Sequence, residues 1–193
     1  MSLSAHRALG LIRQHSSGFA HGRVQERREA AAAFASVAAE GGSVGCEALL
    51  REVGARRLVD TMQSASDEQS VLYMLIVMQH VALHFPSQLC DAGIAWPIVV
   101  VLEAHSLPTI IHEQAVVCAE ALCEDEDAGA ALLAVGLAPA LLRLAIAVRR
   151  RSGHALVLIA VRVIARLAEV QRQTDDLHTI SIRPPYDLPT ISL

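Results

Sequence analysis

The stretch Gln88-Leu89-Cys90-Asp91-Ala92-Gly93-Ile94-Ala95-Trp96-Pro97-Ile98-Val99-Val100-Val101-Leu102-Glu103 decides the fold, together with the segment on the far side of a polar break holding Pro108: His112-Glu113-Gln114-Ala115-Val116-Val117-Cys118-Ala119-Glu120-Ala121-Leu122-Cys123-Glu124. Its punctuation predicts a short helix, a turn at Gly93, a medium helix, a second turn and a long apolar helix. Such a unit cannot bury its own apolar faces, so it is expected as one layer among similar neighbours.

Those neighbours lie on both sides. Glu52-Val53-Gly54-Ala55 and Ala134-Val135-Gly136-Leu137 echo Asp91-Ala92-Gly93-Ile94, each with a Leu shortly before it and an apolar helix after it. The glycines are 39 and 43 residues apart, close to the roughly 40 to 47 residues of three-helix and two-helix repeats. Upstream, Ser66-Asp67 offers an N-cap to a long helix from Glu68 to His84. Its Val71, Leu72, Leu75, Ile76, Met78, Val81, Ala82 and Leu83 leave little polar surface, which suits a helix between two others. A short helix from Cys46 to Arg51 is expected before it, turning at Glu52-Val53-Gly54 into Arg56 to Gln63. Val24 to Glu40 has the strongest helix propensity and is expected to end at Gly41-Gly42. Ser4 to Gln14 has helical spacing, with a break expected at Ser16-Ser17-Gly18 and Gly22.

Downstream, Asp127 is expected to cap a short helix to Val135. Pro139 falls in the first turn of the next helix, where a missing N–H costs little, and that helix runs to about Val148. Ser152-Gly153 precedes a last long helix from His154 to about Gln173. Arg183-Pro184-Pro185-Tyr186-Asp187-Leu188-Pro189 predicts an extended tail from about Leu177 to Leu193. The last helix carries Leu156, Val157, Ile159, Ala160, Val163, Ile164 and Leu167, more than one packed face needs. The tail folding back, self-association through this end, or further repeats would each cover the remainder.

At 193 residues the chain suits a single core, and 53% apolar residues with only 3% aromatics favour close helix packing over a β-sandwich. A net charge of -4 gives no footprint for nucleic acid. Arg149-Arg150-Arg151, the one basic run, reads as a solvated turn at a helix C-terminus. Cys46, Cys90, Cys118 and Cys123 form no CxxC pair and read as reduced core thiols in a cytoplasmic or nuclear protein. Met1 to Gln25 holds Arg7, Arg13 and Arg23 and no acidic residue, which fits a mitochondrial transit peptide as the lesser alternative. Leu3, Leu9 and Ile12 with those arginines fit an ordinary amphipathic helix closing the stack.

Leu132-Leu133-Ala134-Val135-Gly136-Leu137-Ala138-Pro139-Ala140-Leu141-Leu142-Arg143-Leu144 and Gln88 to Pro97 resemble the junction between first and second helices in the armadillo (ARM)/HEAT-type helical repeat family. Glu113-Gln114-Ala115-Val116-Val117-Cys118-Ala119-Glu120-Ala121-Leu122 resembles its third helix, and Ala33-Phe34-Ala35-Ser36-Val37-Ala38 the end of that helix one layer earlier. The resemblance spans about Leu3 to Gln173. It implies an all-α fold: a right-handed α-solenoid of about four armadillo-like repeats over residues 1–176 (approximately 1–42, 46–85, 87–125 and 127–173), with the non-helical tail at 177–193. In this family the third helices line a groove that binds extended peptides, often through an Asn and a Trp on each. Here the Asn position falls on Ser36, Ala82, Ala121 and Arg166, and the Trp position near Met78 and on Val117 and Arg162. That departure argues against a nuclear-localisation-signal receptor, and implies a groove apolar in its middle and basic at its C-terminal end.

Chemical motifs are few. Gly41-Gly42-Ser43-Val44-Gly45 matches the nucleophile-elbow pattern, but an Ala-rich helix precedes it where a strand is needed. His80 and His84 have zinc-ligand spacing with only Cys90 near in sequence, and read as core or groove-edge residues. Cys118 and Cys123, five apart, face different ways on one helix. Glu124 to Asp127 lacks the ligand spacing of a calcium loop. Ala128 to Val148 is long enough for a membrane span, yet Gly136, Pro139 and Arg143 sit where a repeat needs them. The expectation is a non-enzymatic adaptor with no cofactor or metal. It would bind a protein partner through Gln79, Glu120, Arg162 and Arg166, with His80 and His84 at the edge. Neither nucleic acid nor membrane is expected as a partner. The alternative is a membrane-associated or mitochondrially targeted helical protein.

Overall fold

Gly54, Gly93 and Gly136 adopt φ of 90°, 84° and 84°, a left-handed conformation that a side chain would strain. Each therefore turns the chain at the same point of the repeated sequence. A computed structural model describes residues 5–149 and 154–181. Its ten helices are, in order, α1 (Ala5–His21), α2 (Val24–Glu52), α3 (Ala55–Gln63), α4 (Glu68–Ala82), α5 (Pro86–Asp91), α6 (Ala95–Glu103), α7 (Thr109–Leu122), α8 (Glu126–Ala134), α9 (Leu137–Arg149) and α10 (His154–Ser181). No strand occurs among the described residues.

The long helices pack in series, α1 on α2, α2 on α4, α4 on α7 and α7 on α10. The medium helices run beside them, α3 touching α6 and α6 touching α9, while short α5 and α8 fill in between. One apolar cluster runs from Ala8 in α1 to Leu167 in α10. The sequence of α4 explains its central place: Leu75, Met78, Val81 and Ala82 are buried, and Val71, Leu72 and Ile76 pack against them from its flanks.

Four boundaries differ from expectation. First, α1 runs through Ser16-Ser17-Gly18 and breaks only at Gly22. The Ser16 hydroxyl donates to the Ile12 carbonyl at 2.6 Å, so it is satisfied without leaving the helix. Phe19 beyond it is buried against Phe34, ring centroids 4.7 Å apart. Second, the helix begun at Val24 kinks at Gly42 (φ 53°, ψ -138°) and resumes at once, three residues before Cys46. A Cβ on Gly45 would lie 2.2 Å from the Val37 carbonyl oxygen, so a glycine there lets the two arms of α2 close.

Third, Asp125 caps α8 in place of Asp127, accepting from the Ala128 amide at 2.9 Å. Ala128 and Gly129 are buried in the first turns of α8, and that burial sets the helix start ahead of them. Fourth, α10 continues to Ser181, because Leu177-His178-Thr179-Ile180-Ser181 contains neither Pro nor Gly. Pro184 is the first residue there that a helix interior rejects. The rest of the proposed tail, and Arg150 and Arg151 of the basic run, lie outside the described residues.

The apolar stretch from Ala128 to Val148 is two helices, α8 and α9, bent by 72° at Gly136. Among the described residues no single helix is long and apolar enough to cross a membrane.

Candidate functional site

The candidate surface runs along α4, α7 and α10, whose serial packing brings side chains 35 to 42 residues apart in sequence into contact. Gln79 on α4 accepts a hydrogen bond from the Gln114 side-chain amide on α7. Glu120 on α7 pairs with Arg162 on α10 at 3.1 Å. Arg166, one turn further along α10, reaches Glu124 and Glu169, both at 3.4 Å. The Arg162 side chain remains 66% exposed, and such solvated pairs contribute about 0–1 kcal/mol each. They orient side chains more than they hold the fold.

This corrects one expectation. The C-terminal end of the surface is a balanced strip of acids and bases, not a basic patch. Arg162 and Arg166 are exposed on α10, and Glu120 and Glu124, 42 residues earlier, are their partners on and just after α7.

His80 and His84 sit at the C-terminal end of α4. His80 is half-buried on α4, and burial, helped by His84, lowers its pKa below the ordinary value. His84 is exposed just past the end of α4, its ring edge-on to Phe85 at 6.3 Å. The six residues proposed from sequence thus fall into a Gln79 contact, a Glu120–Arg162–Arg166 strip and a histidine margin. Gln114 and Glu124 complete the first two and were missed. Their signal was present as polar residues recurring one repeat from a proposed partner.

Nucleophilic chemistry finds little support. Burial pushes the thiols of Cys46 and Cys90 up to about 11 and those of Cys118 and Cys123 up to about 12, so they fill space as neutral groups. Ser43 is exposed at the point where α2 resumes after its kink, and the residues before it are helical, where a nucleophile elbow needs a strand. Among the described residues no three His, Cys, Asp or Glu are grouped to hold a metal ion.

A second opening lies on the side of the medium helices. Met62 and Gln63 of α3, Val71 of α4 and Trp96, Pro97 and Val100 of α6 line a cleft of about 620 Å³. Trp96 is 57% exposed. Pro97 beside it is buried in the first turn of α6, so the chain enters that helix with the proline inward and the indole outward. The sequence placed Trp96 at the junction between a first and a second helix and did not reveal the cleft, whose lining comes from α3, α4, α6 and the turn after α6.

No family model matches this chain, and neither does any curated protein. In fold it is similar to an engineered protein whose crystal structure shares a TM-score of 0.69 at 19% identity, over 88% of this chain and 67% of the engineered one. At that identity the likeness is one of helical architecture alone.

Proposed function

We propose that the chain is a right-handed α-solenoid of about four armadillo-type repeats, acting as a non-catalytic adaptor that holds a protein partner along α4, α7 and α10. The repeats are the arm of α1 and the first half of α2; the second half of α2 with α3 and α4; α5 to α7; and α8 to α10. The observation that carries this reading is the serial packing of the long helices, with turn glycines of matching φ between the first and second helices of the last three repeats. The burial of Ala8, Ile12 and Phe19 supports α1 as a closing helix of the pile. The polar strip fits a partner segment that itself carries both acidic and basic side chains, each able to exchange with one half of the Glu120–Arg162 or Glu124–Arg166 pairs.

The test is a pull-down with the double variant Arg162→Glu/Arg166→Glu beside Arg143→Glu, which breaks a comparable exposed pair to Glu103 on the other side of the molecule. A partner retained by Arg143→Glu and lost from the double variant supports the reading, provided thermal stability changes little, as exposed pairs allow. Equal recovery by all three chains removes it.

A further inference from the structure

The medium helices differ at two places where the fold does not require it. Three and seven residues past their turn glycines, α3 has Arg57 and Thr61 and α9 has Pro139 and Arg143, whereas α6 has Trp96 and Val100. Only in α6 are both side chains large and apolar. Trp96 is the one tryptophan of the chain, and it is 57% exposed beside Val100 at 47%. Four residues apart on a helix, the two share a face. Tryptophan is highly buried on average, so this open indole with an open valine beside it is surface left available to something apolar.

The cleft of about 620 Å³ at that face grades from an apolar interior to a rim able to hydrogen-bond. Met62 and Val101 are 4% and 9% exposed and make its inner wall with buried Pro97. At the rim the exposed Gln63 amide and Ser106 hydroxyl can each donate or accept, while the Trp96 indole N–H can only donate. None of the described residues that line the cleft is charged. We propose that it binds one uncharged small molecule, apolar along its body, with a hydroxyl or carbonyl oxygen at the end that reaches the rim. An ionised ligand would leave water with no opposite charge to meet it. A peptide segment would carry backbone N–H and C=O groups into an apolar interior that cannot pair them. The volume lies within the roughly 300–1,000 Å³ of small-molecule sites, and the indole offers a flat face on which a ring can stack.

Because Trp96 is the single indole, its emission reports on this cleft directly. The test titrates the full chain with prodan, an uncharged naphthalene bearing a ketone at one end, beside anilinonaphthalenesulfonate, whose similar rings carry a sulfonate. The expected result is saturable quenching of Trp96 by prodan at one site per chain, with the sulfonate binding about tenfold or more weakly. Val100→Glu and Ser106→Asp, both at exposed rim positions, each bring a carboxylate to the cleft from a different element and are expected to weaken prodan binding by about tenfold or more. Leu142→Glu, exposed on α9 outside the cleft, is expected to leave binding unchanged. Equal affinity for the two probes, binding that does not saturate, or prodan affinity kept by either folded rim variant overturns the proposal. So does Trp96 emission that moves to shorter wavelength with rising protein concentration in the absence of probe, which assigns the cleft to a second copy.

Discussion

A methyl group on Gly45 would meet the Val37 carbonyl oxygen at 2.2 Å, whereas one on Gly41 would meet nothing within 4 Å. Both sit in the Gly-rich run Gly41 to Gly45, where the sequence was expected to end the helix at Gly41-Gly42. Backbone atoms cannot yield as a flexible side chain can, so Gly45→Ala is expected to destabilise by about 1–3 kcal/mol. Gly41→Ala, in helical backbone, should be neutral or stabilise by up to about 1 kcal/mol. Urea midpoints of the two variants check the contrast. His112 gives a pH dependence of definite sign. It is buried, and its Nε2 lies 3.2 Å from the Ala104 carbonyl, which can only accept, so Nε2 carries the proton of a neutral ring. Burial lowers its pKa, outweighing that carbonyl, and His80 shifts the same way. The unfolded chain therefore binds protons more readily below its ordinary value of 6.5. The contribution to stability is complete above that pH and is lost as pH falls through the folded value. Thermal unfolding at successive pH values from 7.5 downward should show this decline, and His112→Gln, which keeps a donor toward Ala104, should flatten it. Neither residue was legible as special beforehand: the role of Gly45 depends on a kink three residues earlier, and that of His112 on a carbonyl eight residues away across a turn.

Helix identity was readable in the sequence and helix ends less so. Apolar spacing located α4, α7 and α10 because a helix flanked on two sides must be apolar on most of its surface. Ends depend on single hydrogen bonds. Asp67 was read as a cap and accepts from the Ser70 amide at 3.0 Å, with Arg28 alongside at 3.0 Å. Burial alone would raise its carboxyl, but the Ser70 hydroxyl and amide and Arg28 hold it below the usual range. In Glu124-Asp125-Glu126-Asp127 any of four acids suits the helix dipole, and only the buried positions of Ala128 and Gly129 choose among them. Asp125→Ala should cost about 0.5–2 kcal/mol through the lost cap. Asp127→Ala should cost no more than the roughly 0.3–1 kcal/mol of an end charge. Chemical denaturation of the two variants separates them, and a larger loss for Asp127→Ala would return the cap to the place the sequence suggested.

At the scale of the molecule, the helical architecture was legible because one unusual backbone conformation recurs at Gly54, Gly93 and Gly136, and glycine is the residue that marks it. The candidate surface was half legible: register gave which residues lie along α4, α7 and α10, while charge balance required knowing which residues of adjacent groups meet. The cross-helix polar contacts show how short that reach is. Arg28 meets Asp67 39 residues on, Gln79 meets Gln114 35 on, Glu103 meets Arg143 40 on and Glu120 meets Arg162 42 on. Each long helix thus finds its docking surface in the chain made just before it. At roughly 5–20 residues per second of synthesis, such a surface is about 2–8 s old when its successor leaves the ribosome. The described helices can therefore assemble in chain order as they are translated, each long helix docking on the one made before it.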